Sequence, residues 1–319
     1  VLAKVNAILP YFGGKRTMAP LIVAELGKHT QYFEPFCGSM AVLFAKEPSQ
    51  KETVNDLHGE LINLARVIAT EWAAEKLYHR LAVTPFSEGL LDDARAELEQ
   101  DGEDVFNLYG CDGERPHESG GYSIHGCHIE RAYWYFLASW MGRNGTAGTD
   151  RQDYQIAVRW TKNGGSPTVR WRNAVDSIPA WHKRLLNVVI LRRDAFNIVD
   201  RLEDDERTAM YIDTPYAGET RGKIKDGAGG RYLHEFNHEA SVFAPDDHQK
   251  LRDILAGYRK ARIVVSHYDC PRVRELYAGW TIIEHTRQKH LHAQNGRGAR
   301  PKEAPELLIV NGPSYAKAK

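Results

Sequence analysis

Six consecutive residues, Tyr211-Ile212-Asp213-Thr214-Pro215-Tyr216, bring a carboxylate, a rigid turn and an aromatic face together at the end of an apolar run. Asp213 and the backbone carbonyl of Thr214 are neighbouring acceptors that can take both hydrogens of one exocyclic NH2. Pro215 stiffens the turn through its fixed φ, and Tyr216 offers a ring for stacking on a purine or pyrimidine. An amine held in this way has to be oriented and stripped of water, as it is in a base swung out of a duplex. Taken alone, the same residues also fit a plain strand-end turn with a capping aspartate.

A second group lies near the N-terminus. Tyr32-Phe33-Glu34-Pro35-Phe36-Cys37-Gly38-Ser39-Met40 reads as a strand, a glycine turn and the start of a helix. Such turns let a ligand approach backbone amides at a strand's carboxyl end. About 20 residues on, Val54-Asn55-Asp56 places an acid at the end of the next strand, where acids commonly hold ribose hydroxyls. Each piece alone could be packing; together they suggest a nucleoside site.

These residues need a scaffold to position them. The start of the chain alternates between helix and strand: a helix over Met18 to Leu26 with Thr17 as N-cap, strand Tyr32 to Glu34, helix Ser39 to Lys46, strand Glu52 to Asn55, helix Leu57 to Ile68. This is the beat of a parallel α/β sheet. From Glu71 to about Val175 it gives way to helical segments, an acidic stretch and loops rich in Gly, Asn and Thr. The clearest helix there, Ile129 to Met141, carries Tyr133, Trp134, Tyr135, Phe136 and Trp140, a stripe that reads as core. The beat resumes with strands Val188 to Leu191 and Ala209 to Ile212, a capped helix Asp246 to Tyr258, and strands Ile263 to Ser266, Trp280 to Glu284 and Leu307 to Val310. The expectation is one catalytic domain built from residues 1–70 and 176–319, with a target-reading insertion at 71–175.

At 319 residues, with 42% hydrophobic and 26% charged residues, the chain suits a globular domain with its own core. The formal net charge is zero, but the charge is unevenly spread. Phe86 to Glu118 holds 11 acidic against 2 basic residues, whereas Gly121 to Arg193 holds 11 basic against 4 acidic, and Thr286 to Lys302 has 5 basic and none acidic. Basic segments of this kind suit phosphate contacts. The cysteines Cys37, Cys111, Cys127 and Cys270 form no CxxC pair, which fits a reducing compartment. The N-terminal residues do not resemble a signal peptide, and no run approaches the ~20 apolar residues of a membrane span. The expected location is cytoplasmic, away from membranes.

The order and content of these motifs resemble the Dam-type, D12-class adenine-N6 DNA methyltransferases. The resemblance implies a Rossmann-like fold that binds S-adenosylmethionine and carries a helical target-recognition insertion. It implies cofactor contacts from Tyr11, Phe12, Gly14 and Lys15 of a glycine-lysine segment, from Glu34, Pro35, Phe36 and Gly38, from Asp56 as the ribose-binding acid, and from Asp194, Ala195 and Phe196 beside the cofactor's adenine. It implies that Asp213, Thr214, Pro215 and Tyr216 form the catalytic motif, and that Ser266-His267-Tyr268 is a serine-led turn after the next strand. Arg143-Asn144-Gly145 loosely resembles a DNA-proximal segment of the family. With the basic charge of the insertion, this makes Arg143, Asn144, Lys162, Arg170 and Arg172 the expected contacts to double-stranded DNA. The chain departs from the family at Thr214, where proline is usual. The backbone carbonyl survives the change, but the turn loses rigidity.

The expected reaction is methyl transfer to the N6 amine of a flipped adenine, with cytosine N4, or a non-catalytic DNA-binding protein that keeps the fold, as alternatives. A partner restriction endonuclease is compatible with this reading. Cys111, His117, His125, Cys127 and His128 match no zinc spacing, so no metal is expected. The Thr220 to Phe243 loop, and His290 and His292 beside Lys289 and Arg297, are basic surfaces that could meet phosphate, cofactor or only solvent.

Overall fold

A computed structural model describes residues 3–11, 13–100, 126–142, 155–158, 165–215, 246–288 and 303–316. The chain runs through α1 (Ala19–Leu26), β1 (Gln31–Glu34), α2 (Ala41–Ala45), β2 (Lys51–Asn55) and α3 (Gly59–Ala69). Helices α4 (Glu71–Val83), α5 (Glu88–Gln100), α6 (Gly126–Met141) and α7 (Pro167–Val175) follow, and α8 (Ile178–Leu185) leads back to β3 (Val188–Leu191). Then come α9 (Ala195–Val199), β4 (Thr208–Ile212), α10 (Asp247–Ala256), β5 (Arg262–Tyr268), α11 (Pro271–Leu276), β6 (Thr281–Gln288) and β7 (Glu303–Val310).

The strands form one seven-stranded sheet in the order β3-β2-β1-β4-β5-β7-β6. β1 to β5 pair in parallel, and β7 runs antiparallel between β5 and β6. Both faces of the sheet are covered. Along β4, Ala209 and Tyr211 join the apolar cluster on one face, while Met210 and Ile212 join that on the other. This explains why the strand reads as an unbroken apolar run. The chain builds outward from β1 to β3, then restarts at β4 on the other side of β1. Such a reversal leaves a crevice at the strands' carboxyl ends. The Rossmann-like α/β fold expected from the sequence is the fold found.

Several local expectations shift. Thr17 does not cap α1: the N-cap is Met18, without a side-chain hydrogen bond, and the carbonyl of Lys15 takes the N–H groups of Met18 and Ala19 at 2.9 and 2.7 Å. α2 begins at Ala41 because Gly38 (φ 44°) and Met40 (φ 59°) hold left-handed conformations that cannot continue a helix. α3 begins at Gly59, so Leu57 lies outside it, 40% exposed. Ser266-His267-Tyr268 is the end of β5 rather than a turn.

The helices between 71 and 175 share a core with the sheet's helices. α6 packs on α3, and its Tyr135, Phe136 and Trp140 are buried in the same apolar cluster as Leu61, Leu64 and Ile68. Polar contacts cross the same boundary. Arg131 Nε lies 2.5 Å from Glu60 Oε1, His58 Nε2 lies 2.7 Å from the Tyr135 hydroxyl, and Trp140 Nε1 donates to the carbonyl of Ile8 at 3.0 Å. No helix among the described residues is long and apolar enough to cross a membrane.

Candidate active site

The crevice beside β1 is a cavity of about 250 Å³. It is lined by the ends of β1, β2 and β4, by the N-terminal segment, and by the start of α9. Two glycines keep it open. A Cβ on Gly14 would stand 3.1 Å from the carbonyl oxygen of Tyr11, and one on Gly38 would stand 3.3 Å from the Tyr11 ring, at a φ of +44° that side chains disfavour.

Asp56 shapes the turn above β2. Its Oδ2 accepts from the N–H of Gly38 at 2.9 Å, and its Oδ1 accepts from the N–H of His58 at 3.0 Å. Asn55, which no motif singles out, braces three segments: its Nδ2 donates to the carbonyls of Pro35 (3.0 Å) and Arg193 (2.8 Å), and its Oδ1 accepts from the N–H of Arg193 (2.8 Å). Asp194 caps α9 by accepting from the N–H of Phe196 at 2.8 Å. Lys250 Nζ lies 4.4 Å from the centroid of the Phe196 ring.

Glu34 closes the floor of the cavity, 2% exposed. It accepts the Tyr32 hydroxyl at 2.9 Å. Burial raises its pKa to about 8 against the help of that hydrogen bond, with the nearby Asp213 charge adding to the rise.

Asp213 stands just past β4, its side chain 21% exposed. Its Oδ1 receives Lys15 Nζ at 2.8 Å and the Ser266 hydroxyl at 2.8 Å, and the Tyr211 hydroxyl lies 2.9 Å from Ser266 Oγ. Lys15, 3% exposed, also lies 3.2 Å from Glu306 Oε1 and donates to the Gly13 carbonyl at 3.0 Å. Burial opposes the charge of Lys15, but the two carboxylates outweigh it and raise its pKa. Burial raises the pKa of Asp213, Lys15 and Ser266 pull it down, and Glu306 adds to the rise. Thr214 is 4% exposed, and its hydroxyl has no hydrogen-bond partner among the described residues.

The geometry therefore brings together Tyr11, Gly14, Lys15, Glu34, Pro35, Phe36, Gly38, Asp56, Asp194, Ala195, Phe196, Asp213, Thr214 and Pro215 around one cavity. Lys15 is assigned by the resemblance to the cofactor, yet its ammonium is directed at Asp213. Arg170 and Arg172 do not line this cavity: Arg170 donates to the Trp140 carbonyl at 3.0 Å, with its guanidinium 5.8 Å from the Trp140 ring centroid, and Arg172 donates to the Ala82 carbonyl. Phe12, Arg143, Asn144, Lys162 and Tyr216 lie outside the described residues. So do Cys111, His117, His125, the Thr220 to Phe243 loop, Lys289, His290, His292 and Arg297. Among the described residues no His, Cys, Asp and Glu cluster is arranged to hold a metal.

A sequence model of the D12 class N6 adenine-specific DNA methyltransferases matches residues 11–291. The chain belongs to that family. With membership comes the reaction, transfer of a methyl group to the N6 amine of adenine in DNA, which sets aside cytosine N4 and the non-catalytic alternative. No curated protein matches the chain. The match begins at the glycine-lysine segment and takes in β1 to β5, the helices between them and the residues around Asp213.

Proposed function

We propose that this methyltransferase binds S-adenosylmethionine across the ends of β1 and β2, and receives an adenine flipped from double-stranded DNA on the β4 side. The observation that carries the reading is the setting of Asp213. Asp213 lines the cavity, and Lys15 and Ser266 both meet it at Oδ1, so Oδ2 is the oxygen proposed to accept from the target amine. The Thr214 carbonyl is the second acceptor, one residue on.

The residues present fit the cofactor. Gly14 and Gly38 leave room that a side chain would fill. Asp56 lines the cavity with a carboxylate, the acceptor that ribose hydroxyls would meet there. Phe196, backed by Lys250, offers a ring face for an adenine. When bound, S-adenosylmethionine supplies a methyl group already activated by its sulfonium charge. The protein's task is then to hold the N6 lone pair on line, and Asp213 and Thr214 do so by accepting the amine's two hydrogens. A strong base is not needed, because the proton can leave after transfer. Tyr216 stacks on the flipped base, which offsets part of the few kcal/mol that extrusion costs.

The insertion at 71–175 reads the target in this proposal, with Arg143, Asn144 and Lys162 as phosphate or base contacts. Asp213→Ala tests the centre of the reading. With radiolabelled cofactor and methylation-free genomic DNA, transfer should fall by orders of magnitude. Cofactor affinity measured by calorimetry should change less than about tenfold, or ~1.4 kcal/mol. Parent-level transfer by Asp213→Ala would remove this site from the chemistry.

A further inference from the structure

Glu306 belongs to no motif, yet in the fold it is 2% exposed on β7, next to the fully buried Leu307 and Leu308. A carboxylate so deeply buried is costly unless it is paired. It lies 3.2 Å from Lys15 Nζ, an ammonium already 2.8 Å from Asp213 Oδ1. Two carboxylates thus share one ammonium.

We propose that Glu306 is a positioning residue for methyl transfer: it draws on the charge of Lys15, so that Lys15 fixes the Asp213 carboxylate in place without quenching it as an acceptor. The inference rests on Asp213 accepting the target amine. Lys15 and Ser266 both hold Oδ1, from the N-terminal segment and from β5, which fixes the carboxylate's rotation. A lone ammonium at 2.8 Å would also cancel the field that Asp213 presents to an amine gaining positive charge in the transition state. With Glu306 the three groups together carry one net negative charge, and the fixed field remains. The groups facing Asp213 are Lys15, Glu34 from β1, Tyr211 from β4, Ser266 from β5 and Glu306 from β7. His267, beside Lys15 and Glu306, titrates at about 4 and is neutral above that. Removing the negative charge of Glu306 should therefore make Asp213 a weaker base and move the acid limb of the rate profile to lower pH.

The test uses the full chain, with single-turnover methylation of methylation-free genomic DNA from pH 5 to 9 and calorimetric titration of S-adenosylmethionine. For Glu306→Gln the expected result is a cofactor affinity within about threefold of the parent, a rate lowered by roughly tenfold, less than the ~10²–10³ of a lost donor at the reacting atoms because Glu306 acts through Lys15, and an acid limb shifted down. Glu306→Asp should restore part of both rate and limb. A parent-like rate overturns the proposal, as does a slower rate with an unmoved limb, the signature of a merely structural residue. If Glu306→Gln does not fold, Glu306→Asp decides: its withdrawn carboxylate must lower the rate and the limb together, and parent behaviour overturns the proposal. Asp213→Ala is run alongside. If that variant transfers methyl groups like the parent, the reading of Asp213 has failed; if it collapses while Glu306→Gln behaves like the parent, only the role of Glu306 has failed.

Discussion

At the end of β1, Glu34 keeps a carboxyl where water barely reaches, with the Tyr32 hydroxyl as its side-chain donor. Its pKa of about 8 in the folded chain exceeds the ordinary 4.5. Between those values the folded state binds a proton that the unfolded state has released, so stability falls as pH rises through this window. Glu34→Gln keeps an acceptor for Tyr32 and removes the titration. The parent should lose on the order of 2–4 kcal/mol between pH 5 and 8 through this group, and the variant should lack that loss. Urea unfolding at both pH values measures it, and equal slopes would show that Glu34 is not the source. At this scale the sequence was legible where chemistry and chain position coincide: Asp213, Asp56 and Glu34 each follow or end a parallel strand of the sheet. Glu306 and Asn55 were not legible, because their roles come from partners far along the chain, Lys15 and Arg193. The charge of Arg170 suggests DNA, and in the fold its guanidinium also lies 5.8 Å from the Trp140 ring centroid, a contact that charge alone does not reveal.

Among the elements, α10 and α1 show when a capping signal works. Asp246 has extended backbone, and its Oδ1 accepts from the N–H groups of His248 (2.9 Å) and Gln249 (3.1 Å). Its Oδ2 takes the guanidinium of Arg272 on α11. Thr17 has a cap's composition, but the Lys15 carbonyl already serves the first N–H groups of α1, which leaves it no cap to make. Asp246→Asn should preserve the cap and lose the ion pair, whereas Asp246→Ala should lose both, at a cost of about 1–2 kcal/mol for the cap plus whatever the half-buried Arg272 partner gave. Thermal melts of the two variants separate the contributions; equal destabilisation would show that the cap contributes nothing. The last strands were under-read for a related reason. β6 and β7 pair over eight residues, Thr281–Gln288 with Glu303–Val310, but only their apolar parts carry a pattern. The polar ends are strand because each supplies the other's hydrogen bonds, which periodicity within one segment cannot show.

For the whole molecule, the open question is whether the helical insertion and the methyltransferase sheet fold as one body. The sequence, with its break in the alternating pattern and its swing from acidic to basic, suggests a segment apart. The packing couples it tightly. Arg131 on α6 lies 2.5 Å from Glu60 on α3 and donates to the carbonyls of Glu97 (2.7 Å) and Leu98 (2.9 Å), and it is only 9% exposed. Trp140 and Trp181 donate to the carbonyls of Ile8 and Val5, so helices far along the chain hold the N-terminal segment that carries Lys15. Arg131→Met removes the charge but keeps much of the stem, and leaves Glu60 buried beside an apolar side chain. Breaking a buried pair from one side costs about 3–5 kcal/mol. Because one core is shared, the loss should lower a single unfolding transition rather than split it. Six of the seven tryptophans fall between residues 72 and 181 and only Trp280 lies elsewhere, so tryptophan fluorescence follows mainly the helical half, and far-ultraviolet circular dichroism follows the whole chain. The two curves should coincide in the parent and shift together in Arg131→Met, with cofactor raising both. A fluorescence transition that moves alone would mean that the insertion unfolds by itself, and that its helices can loosen without disturbing Lys15 and Asp213.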